Sequence, residues 1–280
     1  MNKEVLAKII DLSIQEDVGD GDHSSLSCIP EGQKGKVQLI VKEAGIIAGV
    51  EISDYIIKRF DPFSKIEYFI KDGTFVKPGD IILTIEGKVH SLLKTERLLL
   101  NVMQRMSGIA TETQKYVRKL EGTKTKVLDT RKTTPCVRLL EKEAVRIGGG
   151  VNHRMGLYDM IMLKDNHIDF AGGIKEAISA ARSYLKELDK DLQIEIEVRN
   201  LKELSEVLEY GNVDRIMLDN FSIEDTQKAT ELINHRFTTE SSGNITLDTI
   251  RGYAECGVNF VSVGALTHHV KSLDLSLKAV

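Results

Sequence analysis

Arg131, Lys132, His153, Arg154 and Lys164 place four fixed cations and an imidazole within one short stretch of chain. Arginine pairs with carboxylate or phosphate through a planar, bidentate fork, whereas lysine offers a compact point charge. Converging on one place, such a set suits a ligand with two or more carboxylates or phosphates. Thr133 and Thr134 follow the first pair, and Gly148, Gly149 and Gly150 precede the second. The same residues spread along a surface would make only a basic rim.

A second group is acidic. Glu195 and Glu197 alternate along LQIEIEV and therefore share one face of a strand. A buried carboxylate needs a cation, a metal or a cationic transition state beside it. Asp219, closing the run RIMLD, is a further candidate, while a structural ion pair of Glu195 or Glu197 with Lys164 is the alternative, as strong as any function for Glu195. The third group is rich in small residues. Ser242-Gly243-Asn244 and Ser262-Val263-Gly264-Ala265 each read as the opening of a helical run, where free backbone N–H groups bind phosphate. Ser-Gly-Asn is also a common turn.

Lys164 permits a rival chemistry. A lysine ending the strand DMIMLK can form a Schiff base if desolvated, which would make the chain an aldolase-like or decarboxylating lyase. That reading leaves Arg131, Lys132 and Arg154 without a purpose. His268-His269 and the three cysteines, Cys28, Cys136 and Cys256, show no metal-ligand spacing.

The elements that must position these residues follow a rhythm. Strand-like runs recur at 126–129, 159–163, 192–198, 213–218, 237–240 and 258–263, with helical runs at 172–188, 201–209, 223–234 and 247–255. Such alternation indicates right-handed βα units around a parallel sheet, and six in succession suggest a barrel. Catalytic groups of barrels sit at the C-terminal ends of the strands, which is where all three groups fall. The first hundred residues read instead as a mixed α/β unit: a helix near 5–14, then short strands at 36–42, 45–50, 65–70 and 81–86 with Asp72-Gly73 and Pro78-Gly79 turns. From Leu92 to about Leu120 the apolar spacing is helical, with Arg97, Gln104 and Arg105 on the polar face.

Composition narrows the class without naming a ligand. The 280 residues hold 38 Lys+Arg against 42 Asp+Glu and are 41% hydrophobic, which argues against disorder and against a nucleic-acid partner. The charge is uneven: residues 101–170 carry 13 Lys/Arg against 8 Asp/Glu, so a basic segment sits in an acidic protein and favours a small anion held in one place. An odd number of cysteines without a CxxC points to a reducing compartment, with the cytoplasm expected. The acidic, amphipathic start and the lack of an apolar run of about 18 residues argue against secretion and against a membrane span.

Five motifs in order, Asp129-Thr-Arg-Lys-Thr-Thr-Pro135, Gly148-Gly-Gly-Val-Asn-His-Arg-Met-Gly-Leu-Tyr-Asp159, Leu163-Lys-Asp-Asn-His167, Leu218-Asp-Asn-Phe221 and Ser242-Gly-Asn-Ile-Thr246, resemble those of quinolinate phosphoribosyltransferases, the type II phosphoribosyltransferases also called nicotinate-nucleotide pyrophosphorylases (carboxylating). The resemblance runs from Glu16–Ser25 through Glu96–Thr111 to Asp274–Lys278.

The resemblance implies an N-terminal α/β sandwich over residues 1–108 and an open, TIM-like α/β barrel over 109–280, with a tail from about 269 that packs on the first domain. It implies conversion of quinolinate and phosphoribosyl pyrophosphate to nicotinate mononucleotide, pyrophosphate and CO2, with Mg2+ and without an organic cofactor. Arg131, Lys132, Thr133, His153, Arg154 and Lys164 become quinolinate ligands, joined by Arg105 from the other subunit of a homodimer. Glu197, rather than Glu195, and Asp219 become the carboxylates near the ribose and the Mg2+-bound pyrophosphate, so that Lys164, Glu197 and Asp219 form the catalytic set. Ser242, Gly243, Asn244, Ser262, Val263 and Gly264 become phosphate loops. A related protein of molybdate-uptake systems shares much of this motif set, and a non-catalytic anion-binding protein is the reading from outside enzymology. One position departs from the family: many relatives have glycine where this chain has Cys136.

Overall fold

The computed structural model describes residues 2–280. The chain begins with α1 (Lys3–Val18), α2 (His23–Cys28), β1 (Lys34–Val41), β2 (Gly45–Ile46), α3 (Val50–Phe60), β3 (Lys65–Tyr68), β4 (Phe75–Val76) and β5 (Ile81–Lys88). There follow α4 (Val89–Lys119), β6 (Lys126–Leu128), α5 (Arg138–Ile147), β7 (Ile161–Leu163), α6 (Asp165–Ala171), α7 (Ile174–Glu187) and β8 (Ile194–Val198). The last stretch is α8 (Leu201–Tyr210), β9 (Arg215–Asp219), α9 (Ile223–Ile233), β10 (Thr238–Ser242), α10 (Ile250–Glu255), β11 (Phe260–Ser262), α11 (Ala265–His268) and β12 (Leu275–Ala279).

Contacts divide the chain into two units that interleave along the sequence: residues 1–114, 133–149 and 265–280, and residues 115–132 and 150–264. The first unit is built on an antiparallel sheet of order β12-β1-β5-β3. The alternating burial of β1 turns Val37, Leu39 and Val41 inward, where they meet Ile82, Ile85, Leu99, Met103, Leu275 and Leu277. Gly73 and Gly79 have positive φ, as the Asp-Gly and Pro-Gly turns require.

The run at 45–50 departs from the expected strand. Only Gly45–Ile46 pairs, with β4, and Val50 already opens α3. The helix has no local side-chain cap; Asp72, 22 residues away, accepts the Val50 and Glu51 N–H groups at 2.9 and 3.1 Å. Its buried stripe of Ile52, Ser53, Ile56 and Ile57 has helical spacing.

The second unit is a six-stranded parallel sheet of order β6-β11-β10-β9-β8-β7. From β7 to β11 each strand is added on the same side of its predecessor, and the first strand, β6, then joins the last. That order is a barrel left open between β6 and β7, and on its open side β6 carries, among the described residues, a single parallel bridge, Leu128 to Val151. Every residue of β8 is buried, as expected of a strand covered on both faces.

Candidate active site

The strands of the second unit deliver the predicted residues to their C-terminal ends. Glu197 lies one residue before the end of β8; Asp219, Ser242 and Ser262 close β9, β10 and β11. Lys164 follows β7 directly, and Arg131 and Lys132 follow β6 as exposed side chains. This placement is where parallel α/β sheets hold their chemistry. Thr133 and Arg105 belong to the first unit, where Arg105 donates through Nε and Nη2 to the buried Glu141 at 2.9 and 2.6 Å and to Thr134 at 2.7 Å. Cys136, also in that unit, holds φ +67°, a left-handed backbone that glycine adopts without cost.

Arg154 is half-buried and anchors its Nη1 on the Met160 carbonyl at 3.0 Å. Burial lowers its pKa, and the Arg131 charge lowers it further. A guanidinium that feels a second positive charge suits an anion, because a bound dianion relieves the repulsion. Lys164 Nζ lies 2.8 Å from Glu197 Oε2, with 46% of the lysine side chain exposed and 9% of the glutamate's. Of the two glutamates considered for an ion pair with Lys164, Glu197 forms it and Glu195 does not.

Glu195 lies deeper. His153 Nε2 is 2.9 Å from Glu195 Oε2 and 3.3 Å from Glu240 Oε2, and Arg215 Nη1 approaches the same two oxygens at 3.9 and 3.1 Å. Both glutamates have no exposed surface. The Arg154 N–H donates to His153 Nδ1 at 2.6 Å, so the ring is neutral and its proton lies on Nε2, facing the carboxylates; burial first, and the neighbouring Glu240 charge second, raise Glu195 to about 7. Two carboxylates against one guanidinium leave a single negative charge, which a proton on this group of residues cancels. His153, Glu195 and Glu240 also present ligand atoms within 4.8 Å of one another, but Arg215 already serves as their cation. Sequence reasoning singled out neither Arg215 nor Glu240, whose meaning depends on pairing across three strands.

The small-residue loops behave differently from expectation. Ser242-Gly243-Asn244 does not open a helix: α10 starts at Ile250, after a turn in which the Thr249 hydroxyl accepts the Thr246 N–H at 2.9 Å. Ser262-Val263-Gly264 precedes only the four-residue α11. Any anion here meets loop amides rather than the end of a long helix. Gly243 (φ +98°) and Asn244 (φ +49°) are both left-handed, and Asn220 (φ +54°) faces them from the end of β9. Asn220 N–H donates to the Ser242 carbonyl at 2.8 Å, Asn244 Nδ2 to Asn220 Oδ1 at 3.3 Å, and Asn220 Nδ2 to Asp219 Oδ2 at 2.8 Å. Asp219 is therefore tied to the loop that would hold a phosphate.

Glu197 and Asp219 offer oxygen donors alone, and they are not members of a protein cage of three ligands among the described residues. Such a pair fits Mg2+, which keeps several waters and binds through one or two carboxylates and substrate phosphates.

Two family models match the chain: the N-terminal domain of quinolinate phosphoribosyl transferase over residues 22–107 and its C-terminal domain over 109–278. The chain is 45% identical over 288 residues to the chloroplastic nicotinate-nucleotide pyrophosphorylase (carboxylating) of Arabidopsis thaliana, covering 98% of this chain and 82% of that protein. It is 41% identical over 288 residues to a mitochondrial quinolinate phosphoribosyltransferase (decarboxylating) of Nicotiana glauca, with the same coverage. The crystal structure of NadC from Streptococcus pyogenes superposes with a TM-score of 0.93 at 41% identity, covering 100% of this chain and 99% of that one.

Proposed function

We propose how the residues above act, from the premise that the chain belongs to the quinolinate phosphoribosyltransferase family. Its activity is that of a nicotinate-nucleotide diphosphorylase (carboxylating), a phosphoribosyltransferase acting on quinolinate in NAD biosynthesis. The observation that supports the residue-level course is the gathering of Lys164, Glu197, Asp219, Ser242 and Ser262 at the C-terminal ends of β7 to β11, with Lys164 paired to Glu197.

His153, expected among the quinolinate ligands, is buried with both ring nitrogens engaged and serves the site through the Arg154 backbone. Arg131, Arg154 and Lys164, with Lys132, bind the quinolinate dianion. They present its ring nitrogen to C1 of phosphoribosyl pyrophosphate, and holding both reactants in line supplies much of the rate. The nitrogen–carbon bond forms as pyrophosphate leaves with the bonding pair. Glu197 and Asp219 supply negative potential to the oxocarbenium-like ribose between the two bonds. They would also hold Mg2+, which would supply positive charge against the leaving pyrophosphate. The Asn220, Gly243 and Asn244 frame, with Ser242, Ser262, Val263 and Gly264, offers loop amides to the phosphates.

The ring nitrogen is now cationic. When the C2–carboxylate bond breaks, the electron pair left on C2 is stabilised by the adjacent positive charge, CO2 departs and a proton takes its place. No organic cofactor is needed for that step. Lys164 serves as a point charge, in keeping with its ion pair to Glu197.

The working assembly in this proposal is a homodimer in the cytoplasm, with Arg105 of one protomer reaching quinolinate in its neighbour. Its support is the rigid hold of Glu141 on the Arg105 guanidinium, which remains 35% exposed. Among the described residues no helix is long and apolar enough to cross a membrane. Purified protein given phosphoribosyl pyrophosphate, Mg2+ and quinolinate should release pyrophosphate and CO2; absence of quinolinate-dependent CO2 overturns the reading.

A further inference from the structure

The buried ionic group beneath the strand ends has a part in the reaction that the course above does not use. Glu195 on β8, Arg215 on β9 and Glu240 on β10 meet in the interior of the second unit, and His153 enters the group from the segment before β7. Burying two carboxylates is costly, and apolar side chains of similar volume would often hold a core as well or better. A use for the group is therefore to be sought in what it holds, and what it holds is the ring of His153.

That ring is fixed at both nitrogens. Nε2 faces Glu195 and Glu240, while Nδ1 lies 2.6 Å from the backbone nitrogen of Arg154 and accepts its N–H. The neighbouring backbone is clamped from another strand, because Asp129 at the end of β6 accepts the His153 N–H at 2.8 Å and Asn152 Nδ2 at 2.6 Å. Asn152, His153 and Arg154 are thus held from β6 by a carboxylate and from β8 and β10 through an imidazole. The cation that leaves this clamped backbone is Arg154, the residue opposed to Arg131.

We propose that Glu240, together with Glu195 and Arg215, is a positioning residue for the dicarboxylate site. It orients His153, the Nδ1 of which fixes the Arg154 backbone and so the place where the Arg154 guanidinium meets substrate. The proposal rests on the quinolinate reading above. It assigns to Glu240 a larger effect on the dicarboxylate than on the sugar phosphate. The Asn220, Gly243 and Asn244 frame shares no hydrogen bond with the buried group, and among the described residues Ser262 on β11 is the one phosphate-loop residue that Glu240 meets.

The experiment uses the full chain and compares wild type with Glu240→Gln, His153→Gln and the double variant, measuring KM for each substrate and the equilibrium binding of quinolinate alone. Glu240→Gln is expected to weaken quinolinate about tenfold or more while KM for phosphoribosyl pyrophosphate stays within about twofold. Because Glu240 acts through His153, the two single losses should not multiply in the double variant. Unchanged quinolinate affinity in a folded Glu240→Gln protein, equal losses for both substrates, or full multiplication would each overturn the proposal. Should the variants not fold, the wild-type protein carries the test: 15N NMR should find the His153 Nδ1 accepting a hydrogen bond from the Arg154 amide, and a protonated Nδ1 without that bond overturns it. Wild-type protein that releases no CO2 from quinolinate defeats the underlying reading instead, so the two failures are distinct.

Discussion

Lys164 Nζ lies 2.8 Å from Glu197 Oε2, joining the end of β7 to its neighbour β8. An ion-paired, half-exposed ammonium offers a point charge to an anion, whereas a Schiff base requires the free amine. Lys164→Arg should therefore retain more activity than Lys164→Met, which should lose about a hundredfold or more in kcat/KM for quinolinate. Borohydride added during turnover should trap no substrate on the protein. Equal loss in the two variants, or a borohydride adduct at Lys164, would favour covalent chemistry.

Arg105 belongs to the first unit, locked to Glu141 and Thr134. If it serves the neighbouring protomer, Arg105→Ala and Lys164→Ala are each inactive, yet mixing them rebuilds one complete site in every mixed dimer. Random reassortment should restore about a quarter of wild-type activity. No recovery after subunit exchange has been demonstrated by mass spectrometry would place Arg105 outside a shared site.

Gly243 has φ +98°, and a Cβ built there would collide with the Asn220 side chain and approach the Asn220 backbone nitrogen at 3.0 Å. Gly243→Ala should displace the frame that ties Asp219 to the loop. The expected result is a rise in KM for phosphoribosyl pyrophosphate of about tenfold or more with little change for quinolinate. A variant with unaltered sugar-phosphate kinetics would remove this loop from the phosphate site.

The buried group makes stability fall with rising pH. Burial and the Glu240 charge raise Glu195 to about 7, so it binds a proton more tightly in the folded chain. A raised pKa contributes stability that is fully present below the unfolded value and lost as pH climbs through the folded one. For Glu195 the window runs from about 4.5 to about 7. The thermal midpoint should drop across it by roughly 5 °C, and by less in Glu240→Gln, where the second carboxylate is gone. Differential scanning calorimetry reads the difference; identical slopes would mean that the proton is bound elsewhere.

The sequence was most readable where structure is local. Strands 194–198 and 215–219 and helices 174–187 and 223–233 follow from periodicity, and the strand ends then mark where Lys164, Glu197 and Asp219 must lie. Local signals failed at α3, whose start is capped by Asp72 from another segment. The spacing gives no sign of α5, whose Glu141 and Lys142 are fully buried despite their charge. Ser242-Gly243-Asn244 looked like a helix start because the turn that delays α10 depends on Thr246 and Thr249 further on. The pairing of Glu195 and Glu240 with Arg215 and His153 was invisible for the same reason: it exists only once β8, β9 and β10 lie side by side.

Quinolinate labelled in its C2 carboxyl group offers the most direct measurement, with released CO2 and pyrophosphate counted together in the presence of phosphoribosyl pyrophosphate and Mg2+. A dicarboxylate held by Arg131, Arg154 and Lys164, with its nitrogen made cationic before decarboxylation, requires one labelled CO2 per pyrophosphate and none when phosphoribosyl pyrophosphate is left out. Labelled CO2 released without the sugar phosphate, or pyrophosphate released without labelled CO2, would contradict it.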